Sequence, residues 1–337
     1  MDNRYSRQEL FLGEQASLAK RHVLLIGAGA LGSALAEMLT RAGVGSLTLI
    51  DRDYVDWTNL QRQQLFTEQH AKDHLPKAEA ARTRLLEINS EVEVTAITAD
   101  AGARELEQLI DQRRPDLLLD GTDNFETRFL INDLSQKHQI PWIYGGCVGS
   151  QGISFTIIPG TTPCLRCLLD VLPAEGMTCD TMGVISAAVQ MTAAYQGAEA
   201  LKILSGNITE VRQELVAFDL WKNSHSSVQA RSLKRENCPS CGKKRLYPSL
   251  QENNQTRTAV LCGRDTVQIR PPVERNYQLK ELADLFDRQG IAVHSNGFLL
   301  TASIEGKRIV LFQDGRMLVH GTKDVLAAKK IYYQIFG

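Results

Sequence analysis

The sequence predicts an α/β fold, in which a doubly wound, Rossmann-like and mostly parallel sheet carries an antiparallel extension and a four-cysteine zinc site, followed by a small α+β domain. Three observations support this prediction. A strand–glycine turn–helix–strand unit lies near the start of the chain, further apolar strands alternate with helical stretches, and two CxxC pairs follow them. Strands that alternate with helices imply right-handed crossovers and a parallel sheet.

Length and composition indicate a globular protein of roughly two domains, which we place at residues 1–245 and 246–337. The chain has 337 residues, of which 43% are hydrophobic and 23% charged, and a net charge of −1. This balance gives no electrostatic reason to expect binding to nucleic acid or to a membrane. Seven cysteines and an N-terminus without a signal-peptide pattern predict a reducing, cytoplasmic location.

The first predicted unit is typical of a nucleotide-binding turn. Val23–Ile26 is an apolar strand, the motif Gly27-x-Gly29-x-x-Gly32 follows at once, and Asp51 ends the next apolar strand. Glycines let backbone N–H groups approach a phosphate at a helix N-terminus, and a terminal acid can accept hydrogen bonds from ribose hydroxyls. A ligand-free βα turn of a flavodoxin-like domain is the alternative interpretation.

The segments on either side of this unit are polar. Arg4–Gln8, ahead of a helix predicted over Glu9–Lys20, has the composition of a solvated tail, and the connection after Asp51 carries Asn59 and Arg62. Lys77 would lie at the positive end of a helix, where a cation is not favoured. That placement makes Lys77 a candidate phosphate ligand, although solvated lysines are commoner.

Further strands and helices continue the alternation up to an antiparallel extension. Asp123 follows the strand Asp116–Asp120, so it would share one rim of the sheet with the glycine turn and Asp51. The other predicted strands are Glu91–Ala99, Ile140–Tyr144, Gly152–Ile158, Leu215–Leu220 and Ser227–Leu233, and the helices cover Pro76–Ile88, Glu105–Arg113, a stretch ending near His138, and Val184–Leu204.

Two cysteine pairs predict a metal site. Cys164 and Cys167 form one CxxC motif, and Cys238 and Cys241 form the other. Four thiolates suit tetrahedral zinc and leave no open coordination position, so we expect a structural ion. A redox disulfide is the weaker alternative, and Cys179 lies in a separate predicted loop.

The last part of the chain changes pattern after about Tyr247. The predicted elements there are strands over Thr258–Ile269, Ile291–His294, Gly297–Ile304, Arg308–Phe312 and Met317–His320 and helices over Gln278–Gln289 and Thr322–Phe336. This pattern predicts a small α+β domain, in which we identify no catalytic constellation.

Several motifs occur together and in order: RYSRQ at 4–8, GAGALGS at 27–33, the strand ending in Asp51, NLQRQ at 59–63, Pro76-Lys77, TDN at 122–124 and the paired CxxC motifs. Together they resemble the ThiF/MoeB/HesA family, the ubiquitin-activating-type adenylyltransferases of bacteria, over roughly residues 1–245. The N-terminus and the C-terminal extension are most similar to the thiamine-biosynthesis members found in Bacillus-type bacteria.

The resemblance implies a reaction in which ATP and the C-terminal carboxylate of a ubiquitin-like sulfur carrier protein, ending in Gly-Gly, give an acyl-adenylate and pyrophosphate. By the same resemblance, the glycine turn with Ala30 would lie against ATP and Asp51 would hold the ribose. Asn59, Arg62 and Lys77 would contact the phosphates, and Asp123 would bind Mg²⁺.

The resemblance also implies a homodimer in which Arg7 reaches the phosphates of the neighbouring subunit. It places Cys179 at a thiol position that takes part in acyl-persulfide chemistry in some members of the family and is dispensable in others. A bystander thiol therefore remains as good an interpretation as a covalent participant.

Three alternatives to adenylation of a thiamine-pathway carrier stay open at this point. The molybdopterin-synthase small subunit could be the carrier instead. An NAD-dependent dehydrogenase would explain the glycine turn and Asp51 but not Arg62, Lys77 and the cysteine pairs together. A non-catalytic nucleotide-binding scaffold is the third alternative.

Overall fold

A computed structural model describes residues 4–13, 15–169, 182–251, 258–261, 265–270 and 277–336. The chain divides into two compact units, Met1–Glu252 and Asn253–Gly337. A short helix over Pro248–Gln251 belongs to the first unit because the Ser249 backbone N–H donates to buried Asp133 at 2.9 Å.

An 8-stranded sheet forms the centre of the first unit, in the order β3-β2-β1-β4-β5-β6-β7-β8. The first five positions in this order pair in parallel, and β6, β7 and β8 extend the sheet in antiparallel fashion. The strands are β1 His22–Ile26, β2 Ser46–Asp51, β3 Glu93–Thr98, β4 Leu117–Asp120, β5 Trp142–Val148, β6 Gln151–Ile157, β7 Glu214–Asp219 and β8 Ser224–Gln229. The predicted fold class is confirmed.

Helices cover both faces of this sheet because strand residues alternate between two apolar cores. One core joins Leu25 and Leu49 to α3 and α5, and the other joins Leu24 and Ile50 to α6 and α7. The helices of the unit, numbered in chain order, are α1 Ser6–Leu12, α2 Gln15–Leu18, α3 Ala30–Ala42, α4 Glu68–Lys72, α5 Lys77–Ile88, α6 Ala103–Gln112, α7 Phe125–His138, α8 Leu165–Leu169, α9 Ser186–Leu204 and α10 Pro248–Gln251.

The N-terminal segment differs from its prediction in two ways. The single helix expected over Glu9–Lys20 is divided into α1 and α2, because Gly13 ends α1 with a φ of 86°. The segment before it is not a solvated tail. Tyr5 is buried, and its hydroxyl accepts a hydrogen bond of 2.8 Å from the Asn89 amide.

Two predicted strands also needed correction. The strand expected over Ser227–Leu233 begins earlier, as β8, and ends at Gln229, after which Arg231–Leu233 forms a 3-10 turn. The stretch Thr258–Ile269 is a hairpin of two strands rather than one. A period-two pattern does not reveal where a strand reverses.

The second unit contains a 6-stranded antiparallel sheet in the order β11-β12-β13-β14-β10-β9. Its elements are β9 Thr258–Leu261, β10 Thr266–Ile269, α11 Leu279–Arg288, β11 Val293–Ser295, β12 Leu299–Ile304, β13 Lys307–Phe312, β14 Met317–His320 and α12 Val325–Phe336. Phe286 of α11 and Ile331 of α12 pack on one face of the sheet against Leu300 and Leu311. Among the described residues of both units, no helix is long and apolar enough to cross a membrane.

Candidate functional site

The glycine turn after β1 requires glycine at specific positions. Gly27 has a φ of 93°, and a Cβ built on Gly32 would lie 1.9 Å from the Gly27 carbonyl oxygen. Gly121, directly after β4, is also too close for a side chain, because its Cβ would lie 2.4 Å from the same oxygen. Gly29 precedes α3, is partly exposed and has room for a Cβ, which would be in ordinary van der Waals contact with its nearest neighbours at 3.9 Å. The turn is therefore tightly packed at Gly27, Gly32 and Gly121 and partly exposed at Gly29.

Asp51 is tied to this turn by its carboxylate. One oxygen accepts from the Ala28 N–H at 2.7 Å, and the other accepts from the Asp53 N–H at 2.7 Å. Burial raises the pKa of Asp51, while Lys77 and the two N–H donors act in the opposite direction. The carboxylate is thus fixed at the end of β2, beside the start of α3.

Lys77 is buried at the first position of α5, with 4% of its surface exposed. Its Nζ lies 3.1 Å from the Asp53 carboxylate, and its backbone N–H donates to the Asp53 carbonyl at 2.8 Å. A lysine buried at the positive end of a helix is electrostatically unfavourable unless an anion lies beside it. Asp53 supplies that anion, in a position that the sequence alone did not reveal.

The polar connection after β2 contains two buried amides. Asn59 and Gln63 are 1% and 4% exposed, and within the described parts of the chain Asn59 Nδ2 and Gln63 Oε1 have no hydrogen-bond partner. The Gln63 amide nitrogen would lie 3.9 Å from a Cβ built on Gly29. Buried polar atoms without partners are rare in folded proteins, so these amides are suited to a polar ligand.

Arg62 and Asp123 are more accessible. Arg62 is half-buried and donates to the Thr58 carbonyl at 2.8 Å, whereas Asp123 is exposed just before α7. Two other residues, Asp120 and Arg128, hold the loop that contains Asp123. Buried Arg128 donates from Nε to Asp120 at 2.9 Å and from Nη2 to the Thr122 carbonyl at 2.7 Å. Sequence analysis did not identify this pair, although its members lie eight residues apart across the end of β4.

Arg52 is a further charged residue that the sequence analysis did not single out. It follows Asp51 directly, and its Nη1 lies 3.4 Å from the Asp100 carboxylate beyond the end of β3. Burial lowers the pKa of Arg52, but the carboxylates of Asp100, Asp53, Asp123 and Asp51 outweigh it and raise the pKa. The rim therefore contains cations on both faces of the sheet.

Arg7 lies away from the rim of its own chain. It is exposed on α1, whose Gln8 side chain donates to the Ala42 carbonyl at 2.8 Å, at the far end of α3. The glycine turn lies at the other end of that helix. Since α3 extends from Ala30 to Ala42 at about 1.5 Å per residue, roughly 20 Å separates the two ends.

The four cysteines of the CxxC pairs meet in one buried cluster, and their sulfurs all lie within 4.8 Å of one another. Cys164 lies 3.6 Å from Cys238, Cys167 lies 3.6 Å from Cys241, and Cys164 lies 3.9 Å from Cys167. Zinc–sulfur bonds of about 2.3 Å in a tetrahedron place sulfurs about 3.8 Å apart. The cluster therefore has the donor set and the size for zinc.

Buried Asp133 on α7 connects the two cysteine motifs. It accepts hydrogen bonds from the Ser240 hydroxyl, between Cys238 and Cys241, and from the Ser249 N–H. Arg166, between the other two cysteines, approaches Asp133 at 3.5 Å. Cys179, the fifth candidate cysteine, lies outside the described residues.

Comparison with known proteins places this geometry in a family. A family model described as the ThiF family matches residues 3–240. The sulfur carrier protein ThiS adenylyltransferase of Bacillus subtilis (strain 168) is 50% identical over 100% of both chains. The molybdopterin-synthase adenylyltransferase of Escherichia coli (strain K12) is 34% identical over 71% of this chain and 94% of its own.

Solved structures agree at the level of the fold. A crystal structure of E. coli MccB with ATP has a TM-score of 0.62 and 22% sequence identity, covering 72% of this chain and 74% of that chain. The family expected from the motifs is confirmed by the match over most of the chain. This protein belongs to the ThiF family.

Proposed function

We propose that the protein adenylates the C-terminal glycine carboxylate of a ubiquitin-like sulfur carrier protein, using ATP and releasing pyrophosphate, for the synthesis of the thiamine thiazole. The observation that carries this proposal is the full-length 50% identity to a ThiS adenylyltransferase. The match includes the C-terminal unit, whereas the molybdopterin-synthase relative matches only 71% of the chain. That difference favours the thiamine carrier over the molybdopterin one.

ATP would lie along the rim formed by the glycine turn and the end of β2. Asp51 would accept hydrogen bonds from the ribose, and the phosphates would lie beside the partly exposed Gly29, close to the N-terminus of α3. The half-buried Arg62 and the unpartnered Nδ2 of buried Asn59 provide hydrogen-bond donors there. Lys77 would exchange part of its contact with Asp53 for a phosphate oxygen.

The chemistry needs little beyond this positioning. A glycine carboxylate is already ionised at neutral pH, so it can attack the α-phosphorus without a general base. The protein must hold two anions together and stabilise the negative charge of the phosphates. Asp123, exposed before α7, would bind Mg²⁺, which neutralises phosphate charge when bound.

A structural zinc ion is the second part of the proposal. The four cysteine sulfurs lie at the spacing expected around a tetrahedral ion. Thiolates are the form that binds metal. With four protein ligands, the ion would join α8 to the segment before α10 and take no part in catalysis.

The third part is a homodimer with composite sites. Arg7 cannot complete the site of its own chain, because α1 is anchored at the far end of α3. In a two-fold dimer the α1 helix of each subunit would lie beside the glycine turn of the other subunit. The Arg7 guanidinium can there bind phosphate oxygens in bidentate fashion. We therefore propose that Arg7 belongs to the neighbouring subunit's site.

Mixing two inactive variants tests this dimer. After subunit exchange between Arg7→Ala and Asp123→Ala proteins, a mixed dimer has one site lacking both groups and one with both. Activity should return to at most about half the parent level per dimer. A mixture that stays inactive after confirmed exchange would show that Arg7 does not act across an interface.

Exchange of labelled pyrophosphate into ATP tests the reaction itself. It should require a thiamine-type carrier ending in Gly-Gly and should fail with a carrier that lacks the last glycine. Lys77→Ala should lower exchange by roughly 100- to 1,000-fold, the cost of one preorganised contact to developing charge. Lys72→Ala, an exposed lysine on α4, is the matched control and should leave exchange unchanged.

The outcomes separate the candidate functions. If only a molybdopterin-type carrier supports exchange, that carrier is the partner instead of the thiamine-type carrier. ATP binding without exchange on either carrier would favour a nucleotide-binding scaffold instead.

A further inference from the structure

The strands β4 and β5 separate at their carboxyl ends, at the edge of the sheet that carries the glycine turn. Their register pairs Leu118 with Trp142 and Leu119 with Ile143, and in the described part of the chain no further pair of these two strands follows. β5 continues beside β6 as far as Val148. Side chains bridge the gap that opens between β4 and β5.

Arg128, on α7, bridges this gap from one face of the sheet. Its Nε donates to the Asp120 carboxylate at 2.9 Å, and its Nη2 donates to the carbonyls of Thr122 and Gly145 at 2.7 Å and 2.9 Å. A guanidinium can make these contacts together because its five N–H donors have a fixed planar arrangement. One side chain thus connects the end of β4, the loop that follows it and β5.

Two aromatic rings lie against the same guanidinium. Its Cζ atom is 5.3 Å from the centre of the Phe125 ring and 5.2 Å from the centre of the Tyr144 ring, which are cation–π distances. Burial lowers the pKa of Arg128, but the Asp120 carboxylate outweighs this effect and raises the pKa. The guanidinium therefore stays charged, and its plane is held by the rings as well as by its hydrogen bonds.

Gln196, on α9, bridges the same gap from the opposite face of the sheet. It is fully buried, and its Nε2 donates to the Asp120 carbonyl at 2.9 Å and to the Ile143 carbonyl at 3.3 Å. Gly145 leaves room for this amide, because a Cβ on Gly145 would lie 2.3 Å from the Gln196 amide carbon. The end of β4 is thus held relative to β5 from both faces.

The loop that is held in this way contains Asp123, the proposed Mg²⁺ ligand. Thr122 lies directly before Asp123, and its backbone N–H and its hydroxyl donate to Asp120 at 2.9 Å and 2.7 Å. Arg128 binds the Thr122 carbonyl, so both polar groups of the Thr122 backbone are fixed. Displacement of a reacting group by about 1 Å can reduce a rate about 100-fold. The position of Asp123 therefore depends on Asp120 and Arg128.

We propose that Asp120 and Arg128 form a positioning pair, which holds the loop that contains Asp123 at a fixed distance from β5 for the phosphate chemistry. Their side chains are 0% and 8% exposed, so they act through the loop and do not contact ATP or the carrier. This inference rests on the proposed function in one respect, the role of Asp123.

Arg128→Lys tests the geometry while keeping the charge. An ammonium group beside Asp120 cannot reach the carbonyls of Thr122 and Gly145 with the same fixed geometry. At a temperature where the variant is fully folded, kcat for pyrophosphate exchange should fall roughly 10- to 100-fold. A kcat within about twofold of the parent would overturn the proposal.

Two further variants separate positioning from stability. Arg128→Met leaves Asp120 buried without its partner, so Tm should fall by roughly 6–20 °C. The double variant Asp120→Asn with Arg128→Met removes both charges and should recover most of this loss, because a buried ion pair can be replaced at little cost. Its kcat should nevertheless stay at least about tenfold below the parent, since the carbonyls are still not held. A kcat that recovers together with Tm would show a merely structural pair.

Arg21→Met is the matched control, because Arg21 connects elements at the amino end of the same strands. Its Nη1 donates to Asp116, just before β4, at 2.9 Å, and its Nε donates to the Leu204 carbonyl at 3.0 Å. This variant should lower Tm by a few degrees and leave kcat unchanged. Loss of kcat in the control as well would show that the assay reports stability alone.

Hydrogen exchange, measured by mass spectrometry without ATP or a carrier, reads the loop directly. Peptides that cover residues 121–124 should exchange about tenfold faster in Arg128→Lys and in the double variant, and at the parent rate in Arg21→Met. An unchanged rate in the Arg128 variants would overturn the proposal. If the parent protein adenylates no carrier, the proposed function fails, whereas this exchange experiment still decides whether the pair holds the loop.

Discussion

Adding one methyl group at Gly32 tests whether the backbone of the glycine turn is packed as described. A Cβ at this position would lie 1.9 Å from the Gly27 carbonyl oxygen and 2.8 Å from its carbon. Both atoms belong to the backbone, so α3 or the turn must move by more than an ångström. Overpacking of this kind costs typically about 1–3 kcal/mol. At about 2–4 °C per kcal/mol for a unit of this size, Gly32→Ala should lower Tm by roughly 2–12 °C.

Gly29→Ala is the matched control, because its Cβ would have no atom nearer than 3.9 Å. It should leave Tm within about 1–2 °C of the parent, and it should weaken ATP binding by placing a methyl group where the phosphates would lie. Tm is measured by calorimetry without ligand, and ATP affinity by titration. An unchanged Tm for Gly32→Ala would refute the close approach of the turn to α3. Full ATP affinity in Gly29→Ala would refute the placement of the phosphates beside Gly29.

Three further predictions concern other parts of the chain. Cys241→Ser should lose bound zinc and several kcal/mol of stability together, whereas Cys147→Ser, outside the cluster, should keep the metal. Metal analysis that finds no zinc in the reduced parent protein would contradict the zinc site. Burial lowers the pKa of His22 from 6.5, so the unfolded state binds more protons as pH falls below 6.5, and unfolding free energy should decrease there by at most about 1.4 kcal/mol per pH unit. His22→Gln should flatten that dependence in urea unfolding at pH 5–7, and an unchanged slope would exclude His22 as its source. Cys179→Ser should keep pyrophosphate exchange and block sulfur delivery if the thiol is covalently involved, and unchanged sulfur delivery would make it structural.

Hydrophobic periodicity and the turn residues between elements were sufficient to predict the central sheet except for the bounds of its last strand, β8. The apolar runs that contain Leu24 and Leu118 are β1 and β4, because parallel strands buried on both faces have continuous apolar sequences. The spacing of the glycines likewise predicted the position of the turn after β1. Asp51 lies at the same edge of the sheet as that turn, because both follow the carboxyl ends of parallel strands. The CxxC pairs met as expected, since cysteines three residues apart on two chain segments suit one tetrahedral ion.

Tertiary partners were not predictable in the same way. Nothing local in the sequence indicates that Lys77 pairs with Asp53 or Arg52 with Asp100, because these contacts depend on how neighbouring strands end. The burial of Tyr5 is similar, since its partner Asn89 is far along the chain. Composition described that segment as solvated, and only the fold supplies the pocket that holds it.

Intact-mass analysis of the carrier is the most direct measurement of the central claim. The protein, ATP, Mg²⁺ and a thiamine-type carrier with a Gly-Gly terminus are mixed, quenched in acid and analysed, with Arg62→Ala as the inactive comparison. The account predicts a carrier that gains the mass of one adenylyl group, which is AMP less one water, with the parent protein and gains none with Arg62→Ala. A carrier that remains unmodified while the protein binds ATP, or that is modified equally by Arg62→Ala, would contradict it.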